Sequence, residues 1–135
     1  MIYLGTDIVC ISRIQHALER FGERFIRRVY TSAEQKDCGV GERFTDNTTV
    51  SKKAIAQLAG RWAAKEATAK ALGTGWQGIR YTDIEIQRLA SGAPALCLHG
   101  AAAAVAARWG ECQWQLSISH ERDYCVAVVI AIQLY

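Results

Sequence analysis

Residues 60–75 read G-R-W-A-A-K-E-A-T-A-K-A-L-G-T-G, and this stretch decides the fold that the rest of the chain is expected to build. Its interior is rich in alanine and free of glycine and proline, and Gly73 and Gly75 follow it. Alanine favours the helical backbone, and glycine commonly ends it. The stretch therefore predicts a long helix that stops at Gly73.

Glu66 occupies an unusual position on this helix. With about 100° per residue, it falls within the apolar stripe of the helix. The predicted stripe contains Ile55, Ala59, Trp62, Ala63, Glu66, Ala69 and Lys70, whereas Arg61, Lys65 and Thr68 fall outside it. A carboxylate that faces an apolar interior must be paired, protonated or bound to a cation, because an isolated buried charge is too costly.

Two interpretations of Glu66 fit this pattern. The first is a structural ion pair with Lys70 at i+4, which contributes about 0.3 to 0.5 kcal/mol at an exposed position. The second is a site in which Glu66 binds a hard cation such as Mg²⁺ and Lys70 faces a phosphate group. A second acidic residue in an unexpected place, Asp7, favours the site.

Asp7 lies in an apolar run at the start of the chain. Residues 1–9 are bounded by polar residues and are predicted to form a buried strand. Gly5 and Asp7 interrupt one face of this strand, because residues two apart point to the same side. Glycine in a strand leaves room for another backbone or a ligand. Asp7 either caps the turn after the strand or joins Glu66 at a site.

The positive charge of the chain is concentrated in residues 13–28. This segment has five arginines and two glutamates, a surplus of three that equals the formal net charge of +3 of the whole chain. Ser12 and Gln15 form a capping-box pattern, which predicts that a helix starts there. The segment is either a solvated helix face or a surface for an acidic partner. Nucleic acid is a weaker alternative, because the pI is only about 8.7 and no nucleic-acid-binding motif accompanies the arginines.

A loop or insertion is predicted before the central helix. Thr31 and Glu34 form a capping box that starts a short helix ending near Cys38. From there to residue 51 the chain is polar and has no sustained period, and Lys52 could begin an extension of the central helix. We expect residues 39–57 to contain this probable insertion.

The C-terminal half predicts antiparallel strands and one more helix. Residues 82–89 and 95–99 alternate apolar and polar side chains around a turn, which predicts a hairpin. Residues 101–109 predict a second alanine-rich helix. Two strands follow, at 113–119 and 124–134, joined by a turn at 119–123. The expected fold class is α+β, with one antiparallel-dominated sheet packed by helices.

Composition limits the class of protein. A chain of 135 residues that is 50% hydrophobic is expected to form one domain, residues 1–135. Five widely spaced cysteines without a C-x-x-C argue against a disulfide framework and a zinc motif, and predict reduced thiols in a cytoplasmic protein. His99 is expected to be a surface strand residue, because no second histidine lies at metal-binding spacing. The longest apolar run is too short to cross a membrane, so no membrane partner is expected.

Three motifs in order resemble one known family. The run W-A-A-K-E-A-T-A-K-A-L-G-T-G, the opening L-G-T-D-I-V and the closing S-I-S-H-E-R-D-Y-C-V-A are similar to the holo-[acyl-carrier-protein] synthases, the small single-copy 4′-phosphopantetheinyl transferases. The resemblance covers nearly the whole chain, apart from the insertion within 39–57. It implies a 4′-phosphopantetheinyl transferase-like fold that assembles as a homotrimer with sites at the subunit interfaces.

The resemblance also implies a reaction and its residues. The reaction is Mg²⁺-dependent transfer of the 4′-phosphopantetheine group from coenzyme A to a serine of apo-acyl carrier protein, with release of adenosine 3′,5′-bisphosphate. Asp7 and Glu66 would bind Mg²⁺, and Glu66 and Lys70 would be catalytic. The expected coenzyme A contacts are Lys65, Lys70, Gly73, Ser119 and His120. Acyl carrier proteins are acidic, and the expected docking residues are Arg13, Arg20, Arg24 and Arg28.

The sequence leaves three points open. The general base that deprotonates the carrier serine is either Glu66 or a water held by another carboxylate. Gly92-Ala93-Pro94 stands where the family often has G-K-P, so one possible cationic contact is missing. The alternative function is a non-catalytic adaptor whose arginine-rich helix binds an acidic protein.

Overall fold

The predicted central helix is present in the computed structural model of the chain, which describes residues 1–41 and 49–135. In chain order the elements are β1 (Ile2–Cys10), α1 (Ile11–Phe21), α2 (Glu23–Val29), α3 (Ser32–Asp37), α4 (Lys52–Leu72), a 3₁₀ turn (Tyr81–Asp83), β2 (Ile84–Arg88), β3 (Pro94–Leu98), α5 (Gly100–Ala107), β4 (Cys112–Glu121) and β5 (Tyr124–Gln133). The α+β class is confirmed. Across the described ranges, no helix combines the length and the apolarity that a bilayer crossing requires.

Helix α4 has well-defined ends. The hydroxyl of Ser51 accepts a hydrogen bond from the backbone N–H of Ala54, which satisfies one of the free donors at the helix start. Gly73 ends the helix in the left-handed conformation, with φ of 78°. The glycine stop predicted from sequence is confirmed. Because α4 begins at Lys52, the last six residues of the expected 39–57 insertion are helical, and its residues 42–48 lie outside the described ranges.

The apolar stripe predicted on α4 is confirmed only in part, because Ile55, Ala59, Ala63 and Ala69 are buried but the stripe does not set the limits of the buried surface. Arg61, Lys65 and Thr68 are buried, whereas Glu66 is only half-buried and Lys70 is exposed. The main sheet, the β2–β3 hairpin and α1 all pack against α4. A helix that is covered on several sides has no single solvent face, so its periodicity does not report which residues are buried.

The main sheet has the strand order β1-β5-β4, and all its pairs are antiparallel. Its inner face packs on α4 through small side chains of β5, which are Cys125, Ala127, Val129 and Ala131. At Gly5 of β1 the two backbones touch, since a Cβ there would lie 1.7 Å from the carbonyl oxygen of Ala67. The glycine is required by this close approach.

The outer face of the main sheet is apolar and exposed. Ile2, Leu4 and Ile8 of β1 are exposed by 67%, 61% and 65%. Their partners on the neighbouring strand β5 are Ile132, Ile130 and Val126. The sequence predicted that β1 is buried on both faces. In the single chain only its inner face is buried, because α4 packs against that face alone.

The hairpin of β2 and β3 forms a separate two-stranded sheet. Ile84 pairs with Leu98 and Ile86 pairs with Leu96, so the predicted apolar face of the hairpin is confirmed. The single antiparallel-dominated sheet expected from the sequence is therefore two separate antiparallel sheets.

The arginine-rich segment forms two helices instead of one. Helix α1 begins at Ile11 after Cys10, and its start has no side-chain cap, so the capping box expected at Ser12 is wrong. Gly22, with φ of 54°, separates α1 from α2. A positive φ is readily adopted by glycine, and it redirects the chain between the two helices.

A buried ion pair joins α3 to α4. Helix α3 begins with the predicted capping box, in which Thr31 and Glu34 exchange hydrogen bonds. The carboxylate of Glu34 also accepts a hydrogen bond at 2.7 Å from Lys65 Nζ, and both side chains are fully buried. Lys65 Nζ donates in addition to the carbonyl oxygens of Tyr81 and Ile84. Burial lowers the pKa of Lys65, and the charge of Glu34 opposes that effect.

This arrangement corrects the expectation that Lys65 binds coenzyme A. Its ammonium group is enclosed and already bonded to a carboxylate and two carbonyl oxygens. Lys65 therefore holds α3, α4 and β2 together, and we do not assign it to a ligand.

We predict that Lys65→Met strongly destabilises the fold. Methionine nearly preserves the volume, but it leaves the Glu34 carboxylate buried without its cation, which costs about 3 to 5 kcal/mol. Urea unfolding at fixed protein concentration measures the loss, and Lys36→Met on the exposed side of α3 is the matched control. The double variant Glu34→Gln/Lys65→Met should recover part of the stability. A loss below about 1 kcal/mol for Lys65→Met would contradict the buried pair.

Candidate active site

The contact of β1 with α4 brings Asp7 to Lys70. Asp7 follows Gly5 on the inner face of β1, and Lys70 lies one turn beyond Ala67 on α4. Lys70 Nζ donates to Asp7 Oδ1 at 3.0 Å and to the carbonyl oxygen of Thr6 at 2.9 Å. The structure thus joins two of the residues that the sequence predicts to share a site.

Glu66 lies one helical turn before Lys70, and its carboxylate is held by two aromatic donors. Trp76 Nε1 donates to Oε2 at 3.1 Å, and the hydroxyl of Tyr81 donates to Oε1 at 3.2 Å. Within the described residues, Lys70 pairs with Asp7. The ion pair between Glu66 and Lys70, one of the two interpretations of the sequence, is thus replaced by an ion pair between Asp7 and Lys70.

Tyr81 is fixed as a hydrogen-bond donor. Its ring stacks between Trp62 and Trp76, with centroid distances of 5.0 Å and 3.8 Å. Burial, followed by the charge and hydrogen bond of Glu66, raises the pKa of Tyr81 to about 12. The hydroxyl therefore keeps its proton at neutral pH and continues to orient the carboxylate. Sequence analysis missed Trp76 and Tyr81, because no local pattern links them to Glu66.

The donor set of Asp7 and Glu66 fits a hard divalent cation. Carboxylate oxygens are the ligands that Mg²⁺ prefers, and each carboxylate offers about four lone-pair positions. The two aromatic hydrogen bonds use one position on each oxygen of Glu66. The remaining positions are sufficient for a metal ligand, and the exposed ammonium of Lys70 is suited to a phosphate group.

A groove with an apolar floor and a basic rim lies beside this site. Three of the four predicted docking arginines line it, namely Arg13, Arg24 and Arg28. Its apolar lining includes Phe21, Phe25, Trp62 and Tyr81. Arg20 lies over the ring of Phe21, 5.2 Å from its centroid, and is not among the lining residues. Tyr81 belongs both to the groove and to the Glu66 hydrogen bonds, so the two features are in direct contact.

A second cleft contains the predicted residue His120. Its lining also includes Pro94 of the hairpin and three cations that sequence analysis did not assign to a site, namely Lys53, Arg61 and Arg88. Among the described residues, Arg61 Nε is the buried side-chain polar atom that has no hydrogen-bond partner. Arg88 pairs with Pro94 across the hairpin, so a cation stands near the turn where Ala93 replaces the lysine of G-K-P.

Ser119 and His120 lie in strand β4, and not in the turn that the sequence predicts. Arg122 and Asp123 alone connect β4 to β5, and Arg122 has φ of 52°. Successive strand residues point to opposite faces. His120 therefore shares the inner face with Ile118, whereas Ser119 points to the exposed outer face, beside Val126 of β5. The two residues cannot contact one ligand from the same side of one chain.

Gly73 is exposed at the C-terminal end of α4, one turn beyond Lys70. An added Cβ would meet no atom within 4 Å, so this glycine is required by its positive φ and not by packing within one chain. The structure leaves space beside it.

Comparisons with known proteins agree with this geometry. A family model described as the 4′-phosphopantetheinyl transferase superfamily matches residues 3–129. A holo-[acyl-carrier-protein] synthase of Gloeobacter violaceus is 49% identical over 132 residues, which are 98% of this chain and 93% of that protein.

Solved structures of this family also superimpose on the chain. The holo-[acyl-carrier-protein] synthase of Neisseria meningitidis has a TM-score of 0.80 and 35% identity, and the match covers 98% of this chain and 99% of that one. A Chronobacterium ammoniagenes complex of the synthase with coenzyme A has a TM-score of 0.80 and 28% identity, with 100% and 99% covered. The family model and the match to the Gloeobacter violaceus protein both span nearly the whole sequence. The chain therefore belongs to the 4′-phosphopantetheinyl transferase superfamily, as its three motifs predict.

Proposed function

We propose that the chain transfers the 4′-phosphopantetheine group of coenzyme A to a serine of apo-acyl carrier protein, with Asp7 and Glu66 as the ligands of Mg²⁺. The transferase activity follows from the family, and the names of its relatives favour an enzyme over the non-catalytic adaptor. One contact supports the residue assignment most directly. Tyr81 lines the arginine-rimmed groove and hydrogen-bonds Glu66, which connects a surface suited to an acidic carrier with the proposed metal ligand.

The reaction is a phosphoryl transfer, so it depends mainly on positioning and charge. The carrier serine oxygen forms a bond to the phosphorus of phosphopantetheine, and the bond from that phosphorus to the bridging oxygen breaks. Adenosine 3′,5′-bisphosphate leaves. When bound, Mg²⁺ supplies charge neutralisation for the diphosphate. Lys70 stabilises negative charge at the transferred group, and Asp7 keeps its ammonium oriented.

The two aromatic hydrogen bonds suit Glu66 better to metal binding than to proton abstraction. Trp76 and Tyr81 both donate to the carboxylate, so they hold it in one orientation and leave lone-pair positions free for a cation. We therefore assign Glu66 as a ligand, and the proton of the carrier serine passes to another acceptor.

We assign the nucleotide part of coenzyme A to the cleft that contains His120. Lys53, Arg61 and Arg88 place three positive charges there, and guanidinium and ammonium groups are the usual partners of phosphates. His120 and Gly73 remain proposed contacts from the resemblance. The free thiols of the five cysteines are consistent with the cytoplasmic location that we propose.

We further propose that the enzyme is a homotrimer whose sites lie between subunits. The exposed apolar face of the main sheet, formed by β1 and β5, is a surface that a neighbouring copy can cover. Ser119 lies on this same face of β4, so in an oligomer it would face a neighbouring subunit. Ser119 could then contact coenzyme A bound between two subunits, although it lies on the opposite face of β4 from His120.

We expect mass spectrometry to show addition of one phosphopantetheine group when apo-carrier is incubated with the chain, coenzyme A and Mg²⁺. Asp7→Ala or Glu66→Ala should lower the rate by more than about 100-fold, because loss of even an outer-shell partner costs 10 to 100-fold. Both variants should also lose Mg²⁺-dependent thermal stabilisation by coenzyme A. Glu19→Ala, at an exposed position on α1, is the control. Near-normal turnover in either variant, with intact folding, would exclude the metal assignment while leaving the transferase activity.

Charge reversal in the groove should weaken carrier binding selectively. We expect Arg24→Glu/Arg28→Glu to slow carrier association by about 10-fold or more, since electrostatic steering depends on the sign of the patch. Coenzyme A binding should be unchanged in calorimetry. Arg20→Glu should have a smaller effect, because Arg20 does not line the groove. Arg108→Glu, directly after α5, is the control outside the groove. Equal effects at Arg20 and at the groove arginines would argue against docking in the groove.

Activity should depend on contact between subunits. Glu66→Ala and His120→Ala variants are each expected to have low activity, and a mixture should regain activity after subunit exchange. A mixed trimer contains an interface with an intact Glu66 from one chain and an intact His120 from another. Native mass spectrometry verifies the exchange. A fully active monomer in sedimentation, or exchanged mixtures that stay inactive, would refute the shared site.

A further inference from the structure

The β2–β3 hairpin brings together three potential metal ligands outside the proposed active site. Glu85 and Cys97 lie directly opposite each other on the two strands, and His99 follows β3 at the start of α5. One ligand atom from each residue lies within 4.8 Å of the other two. The sequence spacing matches no zinc motif, because the hairpin assembles the three donors across strands.

The distance between His99 and Glu85 fits a shared metal ion better than a direct bond. His99 Nε2 lies 3.6 Å from Glu85 Oε2. A charge-assisted hydrogen bond would be about 2.7 to 2.9 Å long. Two ligands on a tetrahedral zinc ion, with bonds of about 2.0 to 2.3 Å, lie about 3.3 to 3.8 Å apart. The pair is thus too long for a strong hydrogen bond and has the separation of two zinc ligands.

The surroundings of Glu85 resemble the outer shell of a metal site. The hydroxyl of Thr31 donates to Oε1 at 2.6 Å, and the side-chain amide of Gln87 donates to Oε2 at 2.9 Å. Burial raises the pKa of Glu85, but these hydrogen bonds and His99 outweigh it and lower the pKa overall. Outer hydrogen bonds of this kind orient carboxylate ligands. Thr31 and Gln87 therefore hold the Glu85 carboxylate in a fixed orientation.

The types of donor atom indicate which ion the cluster would select. Sulfur from Cys97 and nitrogen from His99 favour a borderline ion such as Zn²⁺ over Mg²⁺, which prefers oxygen ligands. Glu85 is buried, Cys97 is partly buried and His99 is half-exposed. The exposed histidine provides access from solvent and a position at which water can complete four-coordination.

We propose that Glu85, Cys97 and His99 form a zinc-binding site that is separate from the Mg²⁺ site assigned to Asp7 and Glu66. The bound ion links the hairpin to the start of α5 through His99. Through Glu85 and its bond to Thr31, it also links the hairpin to the start of α3. The consequence is ligand-dependent stabilisation of this side of the fold.

The test uses Co²⁺ as a spectroscopic substitute for Zn²⁺ in the full chain after treatment with a chelator. We expect one Co²⁺ per chain to give a thiolate-to-metal charge-transfer absorption that Zn²⁺ abolishes and excess Mg²⁺ does not. Cys97→Ser should abolish the absorption, and His99→Gln should weaken Co²⁺ binding at least 10-fold. Cys112→Ser and His16→Gln are the matched controls, and Asp7→Ala/Glu66→Ala should leave the absorption unchanged.

Several results would overturn this proposal. Absence of the charge-transfer absorption in the unmodified chain would show that the cluster is only a histidine–glutamate contact. Persistence of the absorption in Cys97→Ser, or its loss in Cys112→Ser, would place the ion on another thiol. Circular dichroism and urea unfolding without metal establish that each variant is folded. The Zn²⁺-dependent rise in Tm should then disappear in Cys97→Ser and remain in Cys112→Ser.

Discussion

The fold depends on the direct contact between the backbones of β1 and α4 at Gly5. A Cβ at this position would lie 1.7 Å from the carbonyl oxygen of Ala67, so no other residue fits without moving the strand. Because the strand lies so close, Asp7 on the same face reaches Lys70 at 3.0 Å. Alanines on α4 and β5 extend the close approach along the sheet. The geometry of the candidate active site is thus a direct consequence of small residues at one helix–sheet contact.

Two adjacent charged residues on α4 have opposite roles because different elements cover them. Lys65 points towards α3 and β2, where Glu34 and two carbonyl oxygens enclose its ammonium group. Glu66 points towards the segment after α4, where Trp76 and Tyr81 hold its carboxylate but leave it half-exposed. Full enclosure makes Lys65 a structural residue. Partial exposure with fixed orientation makes Glu66 suitable as a ligand.

The chain has three separate surfaces, and each has the chemistry of a different kind of partner. The arginine-rimmed groove beside Tyr81 suits an acidic protein, and the cleft around His120 suits phosphate groups. The exposed face of β1 and β5 is apolar and suits another copy of the chain. Since Ser119 and His120 lie next to each other but on opposite faces of β4, this strand connects the cleft to the apolar face. The separation is consistent with a site completed between subunits.

The sequence by itself determined the central helix with its glycine stop, the α+β class and the family, and it singled out Asp7, Glu66 and Lys70 as the proposed site residues. These follow from local patterns and motifs, which need no knowledge of distant contacts. Tertiary structure alone decided that Lys65 and Arg61 are buried, that Trp76 and Tyr81 hold Glu66, and that Glu85, Cys97 and His99 meet. Helix periodicity could not reveal the burial, because α4 is covered on several sides. Contacts between elements far apart in the chain depend on how strands and helices pack, and no spacing in the sequence records them.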